Sequence, residues 1–252
     1  MIKSLVYKAV DTATFGRGIR KNIGGAALWL PSRLSRFYTS DYEPETVSFL
    51  RDTLKVGQSF IDIGAHIGLF SVLAGKLVGE TGKVISFEPT EISREALKDV
   101  IAANRLENII EVRSEAVSDR CGTSLFFDSG KTMSVTNSLV ENESNERSID
   151  VKTVTLDSVV ANSKLEPDCI KIDVEGAELA VLLGAEEIFR RFRPKARLAV
   201  HPPFFKNIEE EMSGIWKFTK DYGYDVTNEG KPVSRDWFLA QRRFFDVNLL
   251  PN

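Results

Sequence analysis

Cysteine and histidine are both scarce in this chain of 252 residues, with two of each: Cys121 and Cys169, His66 and His201. Two thiols cannot staple a secreted scaffold, so a reducing compartment is expected. Neither thiol has neighbours that would lower its pKa in an obvious way, which argues against a reactive cysteine. No run approaches the roughly 18 uncharged apolar residues that a membrane-spanning helix requires. The apolar stretches near the N-terminus are broken by Asp11, Arg17, Arg20 and Lys21 and do not read as an export signal. Internal repeats and long Pro/Gly/Ser linkers are absent too, so one main domain and a cytoplasmic location are expected.

Hydrophobic residues make up 42% of the chain and charged residues 27%, the mix of a protein that buries a sizeable core. The net charge of −3 hides a division. Residues 1–40 carry seven basic side chains against Asp11 alone, a net of +6, while the other 212 residues are at −9. The basic head reads as an N-terminal extension to a domain over 41–252. Leu5, Val6, Ala9 and Val10, with Trp29 and Phe37, place apolar groups beside its charges. Two readings follow: a helical cap packed on the domain with its basic side chains solvated, or a surface that attracts anionic lipid.

From Phe60 onward strands and helices alternate. Strands are expected at Phe60–Ile63, Lys83–Glu88, Ile109–Val112, Cys169–Asp173 and Leu198–His201, with a last one at Trp237–Ala240. Helices are expected over Leu69–Val78, from Thr90 through Ile101, from Ala177 to Phe192 and from Ile208 to Tyr222. Residues 116–150 break this rhythm and read as a hairpin-like insertion, with an exposed polar loop at 141–147. The alternation predicts an α/β fold with a parallel sheet covered on both faces. Ligands of such sheets bind beyond the carboxyl ends of the strands, where the winding reverses.

The chemistry-bearing residues fall at those ends. The first strand runs into Asp62-Ile63-Gly64-Ala65-His66-Ile67-Gly68, where Gly64 allows a tight turn and Gly68 close packing at the helix start. The glycine spacing differs from the Gly-x-Gly-x-x-Gly dinucleotide loop, and Asp62 would repel a phosphate and suit an ammonium or a ribose. Glu88, before Pro89, stands where a carboxylate can accept ribose hydroxyls. Glu115 and Ala116 follow the third strand, where an adenine edge could lie. The run Lys171-Ile172-Asp173-Val174-Glu175-Gly176-Ala177-Glu178 is the densest acidic cluster. Its carboxylates could bind Mg²⁺ or Ca²⁺, supply a general base or hold an amine; Glu178 among them reads as a helix amino-end acid favoured by the macrodipole. No metal is expected. His201, ahead of Pro202-Pro203, suits a general base at neutral pH.

Together these segments resemble the FkbM-type methyltransferases: the Asp62–Gly68 loop, Glu88-Pro89, Ala116–Asp119, Thr155–Ser158 and above all Ile170–Glu178. Tyr42-Glu43-Pro44-Glu45 and His201-Pro202 also fit, so the resemblance spans roughly residues 40 to 205. His66 stands where that family commonly has asparagine. The resemblance implies a Rossmann-like class I methyltransferase fold, with a seven-stranded, mostly parallel sheet and helices on both faces. It implies S-adenosyl-L-methionine as cofactor and S-adenosyl-L-homocysteine as product. Glu43, Asp62, Gly64, Ala65, His66, Gly68, Glu88, Pro89, Glu115, Ala116 and Asp173 would then border the cofactor. The base would be His201 first, then Asp173 or Glu175. The expected activity is O-methylation of a sugar, glycolipid or secondary-metabolite hydroxyl, without a nucleic-acid partner. An N-methyltransferase, an NAD-dependent oxidoreductase on a similar sheet and a non-catalytic scaffold are the alternatives.

Overall fold

The computed structural model describes residues 2–36, 38–128, 139, 147–163 and 165–252. The chain begins with helix α1 (Ile2–Ala13), the hairpin β1 (Ile19–Ile23) and β2 (Ala26–Leu30), and the one-turn helix α2 (Ser32–Ser35). Helix α3 (Pro44–Thr53) leads into β3 (Ser59–Ile63), α4 (Leu69–Val78), β4 (Lys83–Phe87), α5 (Glu91–Asn104) and β5 (Ile110–Arg113). Then come β6 (Ala116–Val117), β7 (Gly122–Asp128), β8 (Arg147–Val154) and α6 (Leu156–Ser163). The rest comprises β9 (Cys169–Ile172), α7 (Glu178–Leu183), α8 (Glu186–Arg191), β10 (Lys195–Val200), α9 (Ile208–Asp221), β11 (Tyr224–Asn228), β12 (Lys231–Pro232), α10 (Arg235–Ala240) and β13 (Phe245–Pro251).

The main sheet has the order β12-β11-β13-β10-β9-β3-β4-β5. Strands β10, β9, β3, β4 and β5 pair in parallel, β13 runs antiparallel between β10 and β11, and the two-residue β12 closes the edge. The chain winds one way from β3 to β5 and the other way from β9 to β10. Their neighbouring carboxyl ends therefore open a crevice at the reversal. β3 is buried along its whole length. Ile61 and Ile63 pack with Ile170, Val181 and Phe189 on one face, while Phe60 packs with Val72, Leu73 and Val100 on the other. Asp62 shares the second face and stays ordered there by accepting from Ser71 Oγ at 2.6 Å.

Three expectations need correction. The helix from Ala177 to Phe192 is two helices, because Gly184 passes against the backbone after β6. A Cβ on Gly184 would lie 2.0 Å from the Ser118 carbonyl oxygen. Asp157 then caps the second piece across space, accepting from the Glu187 and Ile188 amides at 3.0 Å each. Trp237–Ala240 is helical, started by Ser234, whose Oγ accepts from the Trp237 amide at 3.1 Å. The strand inserted antiparallel to its neighbours is Phe245–Pro251, with Val247 and Leu249 fully buried. The segment around 116–150 contributes β6, β7 and β8 to a separate three-stranded sheet, and the polar run over 141–146 lies outside the described residues.

The basic extension is a helix, a hairpin and a short helix rather than helices alone. Ile23, Leu28, Leu30 and Leu34 join the core beside α4 and α5. Asn104 holds the hairpin: its amide donates to the Trp29 carbonyl at 2.7 Å and its Oδ1 accepts from the Trp29 amide at 3.0 Å. Arg17 donates to the Ala103 carbonyl at 2.9 Å with its guanidinium 4.3 Å from the Trp29 ring centre. Asn104→Ala is expected to lower the unfolding free energy by about 1 to 2 kcal/mol, read by urea titration, because it orphans a half-buried backbone pair. Leu5 (64% exposed), Val6 (53%) and Phe15 (96%) face solvent. Among the described residues no helix is long and apolar enough to cross a membrane.

Candidate active site

A cavity of about 330 Å³ lies over the carboxyl ends of β3, β4 and β9. One end is built on the turn after β3. Gly64 has φ +82°, and a Cβ there would sit 1.8 Å from the Asp173 carbonyl oxygen. Only glycine lets the β3 turn cross the end of β9 at that distance. The amides of Gly64 and Ala65 both donate to the Phe87 carbonyl, at 3.1 and 2.9 Å. His66 follows at φ +51°, a left-handed position that asparagine tolerates better than most residues.

Glu88 locks this turn to the start of α5. Its Oε2 accepts from the His66 amide and its Oε1 from the Thr90 amide, both at 2.8 Å. The carboxylate is 6% exposed. Burial pushes its pKa up to about 7 against the pull of those hydrogen bonds. Because the folded value lies above the unfolded one, its stabilising contribution is complete below pH ~4.5 and is lost as pH rises through about 7. Wild-type stability is therefore expected to fall between pH 5 and 8 by up to about 3 kcal/mol more than that of Glu88→Gln, measured by denaturant titration at each pH.

Of the residues expected to border the cofactor, Glu43, Gly64, Ala65, His66, Gly68, Glu88, Pro89, Glu115, Ala116 and Asp173 line the cavity. Asp62 does not. It lies behind the wall, 1% exposed, bonded to Ser71 and 3.9 Å from Lys171 Nζ. Burial raises its pKa, with Lys171 opposing. Its contacts tie β3 to α4 and to β9. Glu115 pairs with Arg113 at 2.7 Å at the far end of the cavity.

Several wall residues carried no signal in the sequence. Tyr38, Tyr42, Phe70 and Ser93 line the cavity. Ser93 is fully buried, and its hydroxyl has no hydrogen-bond partner among the described residues, so it is available to a ligand. Lys171 stood inside the acidic motif without a role. Buried at 4% exposure, it reaches Asp173 Oδ2 at 2.9 Å. Burial opposes its charge, but Asp173, Asp62 and Glu43 outweigh it and hold the ammonium protonated.

Beside the β3 turn Asp173 leaves β9, Glu175 turns at φ +56°, and His201 leaves β10. His201 Nε2 lies 3.6 Å from Asp173 Oδ1 and 3.7 Å from Glu175 Oε1. Its Nδ1 meets Glu178 Oε1 at 2.5 Å. Glu178 is fully buried, and the same oxygen accepts from the Gly176 amide at 3.1 Å. The acid read as a helix-end charge is thus the partner of the imidazole, a pairing across 23 residues that helix periodicity could not reveal. Burial works against the imidazolium, but the Glu178 hydrogen bond and the charges of Glu178, Glu175 and Asp173 raise the His201 pKa to about 9. Burial raises Glu175 to about 7, with His201 pulling it down. Burial also opposes ionisation of Asp173, yet Lys171 and His201 hold it below the usual range. Phe204 and Phe244 flank the imidazole, with ring centres 6.1 and 5.1 Å away.

A sheet reversed at β3, with an acid-walled cavity over the reversal and one antiparallel strand near the edge, defines a class I methyltransferase fold. The family model for the methyltransferase FkbM domain matches residues 62–226, and the chain belongs to that family. The FkbM methyltransferase structure from Methylobacillus flagellatus superimposes with a TM-score of 0.52 at 13% identity, over 86% of this chain and 57% of that one. An rRNA methylase from Streptococcus thermophilus covers 81% of this chain and 92% of its own, at 11% identity and a TM-score of 0.47. A curated relative, the "Probable cobalt-precorrin-6B C(15)-methyltransferase (decarboxylating)" of Sulfurisphaera tokodaii, is 31% identical over 84 residues. That alignment takes in 33% of this chain and 44% of the relative, so the chain spans less than half of it.

Proposed function

We propose that the chain is an S-adenosylmethionine-dependent O-methyltransferase acting on a hydroxyl of a small-molecule, glycan or glycolipid acceptor. The observation that carries this reading is the cluster of Asp173, Glu175 and His201 in a cavity that the Glu88-locked turn also lines. S-adenosylmethionine supplies, when bound, a methyl group on a sulfonium that is already a good leaving group. The residues fit such a ligand. The walls carry Glu43, Glu88, Glu115, Asp173 and Glu175 against Lys171 and Arg197, an acidic surplus that favours a cation, and the unpartnered Ser93 hydroxyl lies on the same wall.

The chain's own contribution is to place an acceptor oxygen and to receive its proton. Glu88 keeps the β3 turn in place and has lone pairs left for ribose hydroxyls. Asp173, pinned through one oxygen by Lys171, keeps the other turned toward His201. An acceptor hydroxyl lying between Asp173, Glu175 and His201 gives up its proton to one of the two carboxylates, because a His201 pKa raised to about 9 keeps the imidazole protonated at neutral pH, and positioning does most of the rest. The turn after β3 lacks the dinucleotide glycine spacing, which weighs against the oxidoreductase.

Thermal shift with S-adenosylhomocysteine and NAD tests the class: stabilisation by NAD alone overturns it. Labelled S-adenosylmethionine incubated with cell extract tests the acceptor. Label is expected in an alkali-stable small molecule or glycolipid. Label in RNA overturns the acceptor class. We further place the protein in the cytoplasm, with peripheral contact to anionic membrane through residues 1–40. Its free thiols, Cys121 exposed and Cys169 buried, and the exposed Leu5, Val6 and Phe15 support this. The hairpin shares the core, so the contact is tested by substitution rather than truncation. Phe15→Glu is expected to cut binding to phosphatidylserine vesicles at low salt at least threefold; equal binding by both proteins refutes the contact.

A further inference from the structure

We propose that Asp173, Glu175 and His201 form a divalent-cation site, with Glu178 holding the histidine from behind. The inference rests on the methyltransferase reading for its purpose, since the ion would orient the acceptor oxygen, but not for its geometry.

One donor atom from each of the three residues lies within 4.8 Å of the others. The two distances from His201 suit a shared ion better than direct bonds. Two ligands each about 2.1 Å from one ion stand roughly 3.0 to 4.2 Å apart, depending on the angle between them. The distances of 3.6 and 3.7 Å from His201 Nε2 to the two carboxylates fall in that interval, and both exceed hydrogen-bond length.

The donors are also prepared separately. The His201 side chain is 8% exposed, and Nε2 has no hydrogen-bond partner among the described residues. It points between two acids, while Nδ1 is taken by Glu178 at 2.5 Å. A carboxylate on the far nitrogen fixes the tautomer and ring orientation of a ligating histidine and makes it a better donor. Lys171 occupies Asp173 Oδ2 at 2.9 Å and leaves Oδ1 facing His201. Glu175 adopts its left-handed backbone at φ +56° with its carboxylate beside the same nitrogen. Such backbone strain in a non-glycine residue persists only where the surroundings enforce it.

Charge supports the assignment. Asp173, Glu175 and Glu178 bring three carboxylates together against Lys171, and a bound cation would take the place of the proton that these acids otherwise hold on His201. Two oxygens and one imidazole nitrogen suit Mn²⁺ better than the all-oxygen shells of Ca²⁺ or Mg²⁺. Three protein ligands leave coordination positions open on the cavity side, where an acceptor hydroxyl or a vicinal pair of sugar hydroxyls could bind.

The test uses the full chain, stripped with chelator and saturated with S-adenosylhomocysteine. MnCl₂ is titrated in, and bound ion is read from the loss of the free-Mn²⁺ electron paramagnetic resonance signal. One saturable equivalent per chain is expected. Glu175→Gln and His201→Gln should each weaken binding at least tenfold, and Glu178→Gln, which touches only the far nitrogen, by about 10- to 100-fold. Calorimetry with S-adenosylhomocysteine on the same samples verifies folding and separates the two claims. If the nucleoside binds and Mn²⁺ shows no saturable equivalent, the cation site is refuted and the methyltransferase reading stands. If Mn²⁺ binds equally well to wild type and to Glu175→Gln and His201→Gln, the site is refuted as well. If the nucleoside fails to bind, the cofactor reading falls and the Mn²⁺ titration still decides the site.

Discussion

Gly64→Ala is expected to destabilise the chain by on the order of 3 kcal/mol and to abolish S-adenosylhomocysteine binding. Two costs add. The residue sits at φ +82°, a conformation that side chains with a Cβ rarely adopt. The new methyl group would also stand 1.8 Å from the Asp173 carbonyl oxygen, which belongs to backbone and cannot swing away. Relief requires the β3 turn to lift from the end of β9. The amides of Gly64 and Ala65 then lose the Phe87 carbonyl, and the His66 amide loses Glu88. The turn that closes one end of the cavity is thereby dismantled. Urea unfolding measures the first cost and calorimetry the second. Wild-type affinity in a folded Gly64→Ala protein would show that this turn is not part of the cofactor site.

His201→Ala should act on a different quantity. Turnover of the labelled methyl donor with its acceptor is expected to fall about 10²- to 10⁴-fold, the range for losing a group that handles a proton in the transition state. S-adenosylhomocysteine affinity should change less than about threefold, because the hydrogen bond of His201 is to Glu178 and not to the turn that Glu88 holds. The substitution leaves the fully buried Glu178 with only the Gly176 amide on its bonded oxygen, so some stability is lost too. A folded variant with wild-type turnover would remove His201 from the catalytic cluster. A variant that loses nucleoside affinity together with turnover would indicate a collapsed cavity rather than a missing catalytic group.

Much of this arrangement was legible in local sequence. Phe60–Ile63, Leu69–Val78 and Cys169–Ile172 declare themselves because each is a short apolar run or an apolar-faced helix bounded by glycine or acid. Period and punctuation are local properties. Glu88 and the Gly64 turn were visible for the same reason: strand ends in an alternating α/β chain are where ligands bind. The break at Gly184 was not visible. It follows from a close approach to Ser118, distant in sequence, and from the Asp157 carboxylate arriving to cap the second helix. Trp237–Ala240 was misread because four apolar residues carry no usable period, and the Ser234 cap decides in favour of helix.

The sequence alone therefore determined the fold class, the family motifs and most of the residues that border the cavity. It also showed a basic head on an acidic body. Only the tertiary structure decided which acids face the cavity. Asp62 and Glu178 share the motifs of Gly64 and Asp173 yet are turned inward, one to Ser71 and Lys171, the other to His201. It also decided that the head's hairpin shares the core while Leu5, Val6 and Phe15 stay in solvent. The physical reason is common to both. Spacing along a chain fixes which face of a strand or helix a side chain occupies, whereas its charge state and its partner depend on what other segments bring to within a few ångströms.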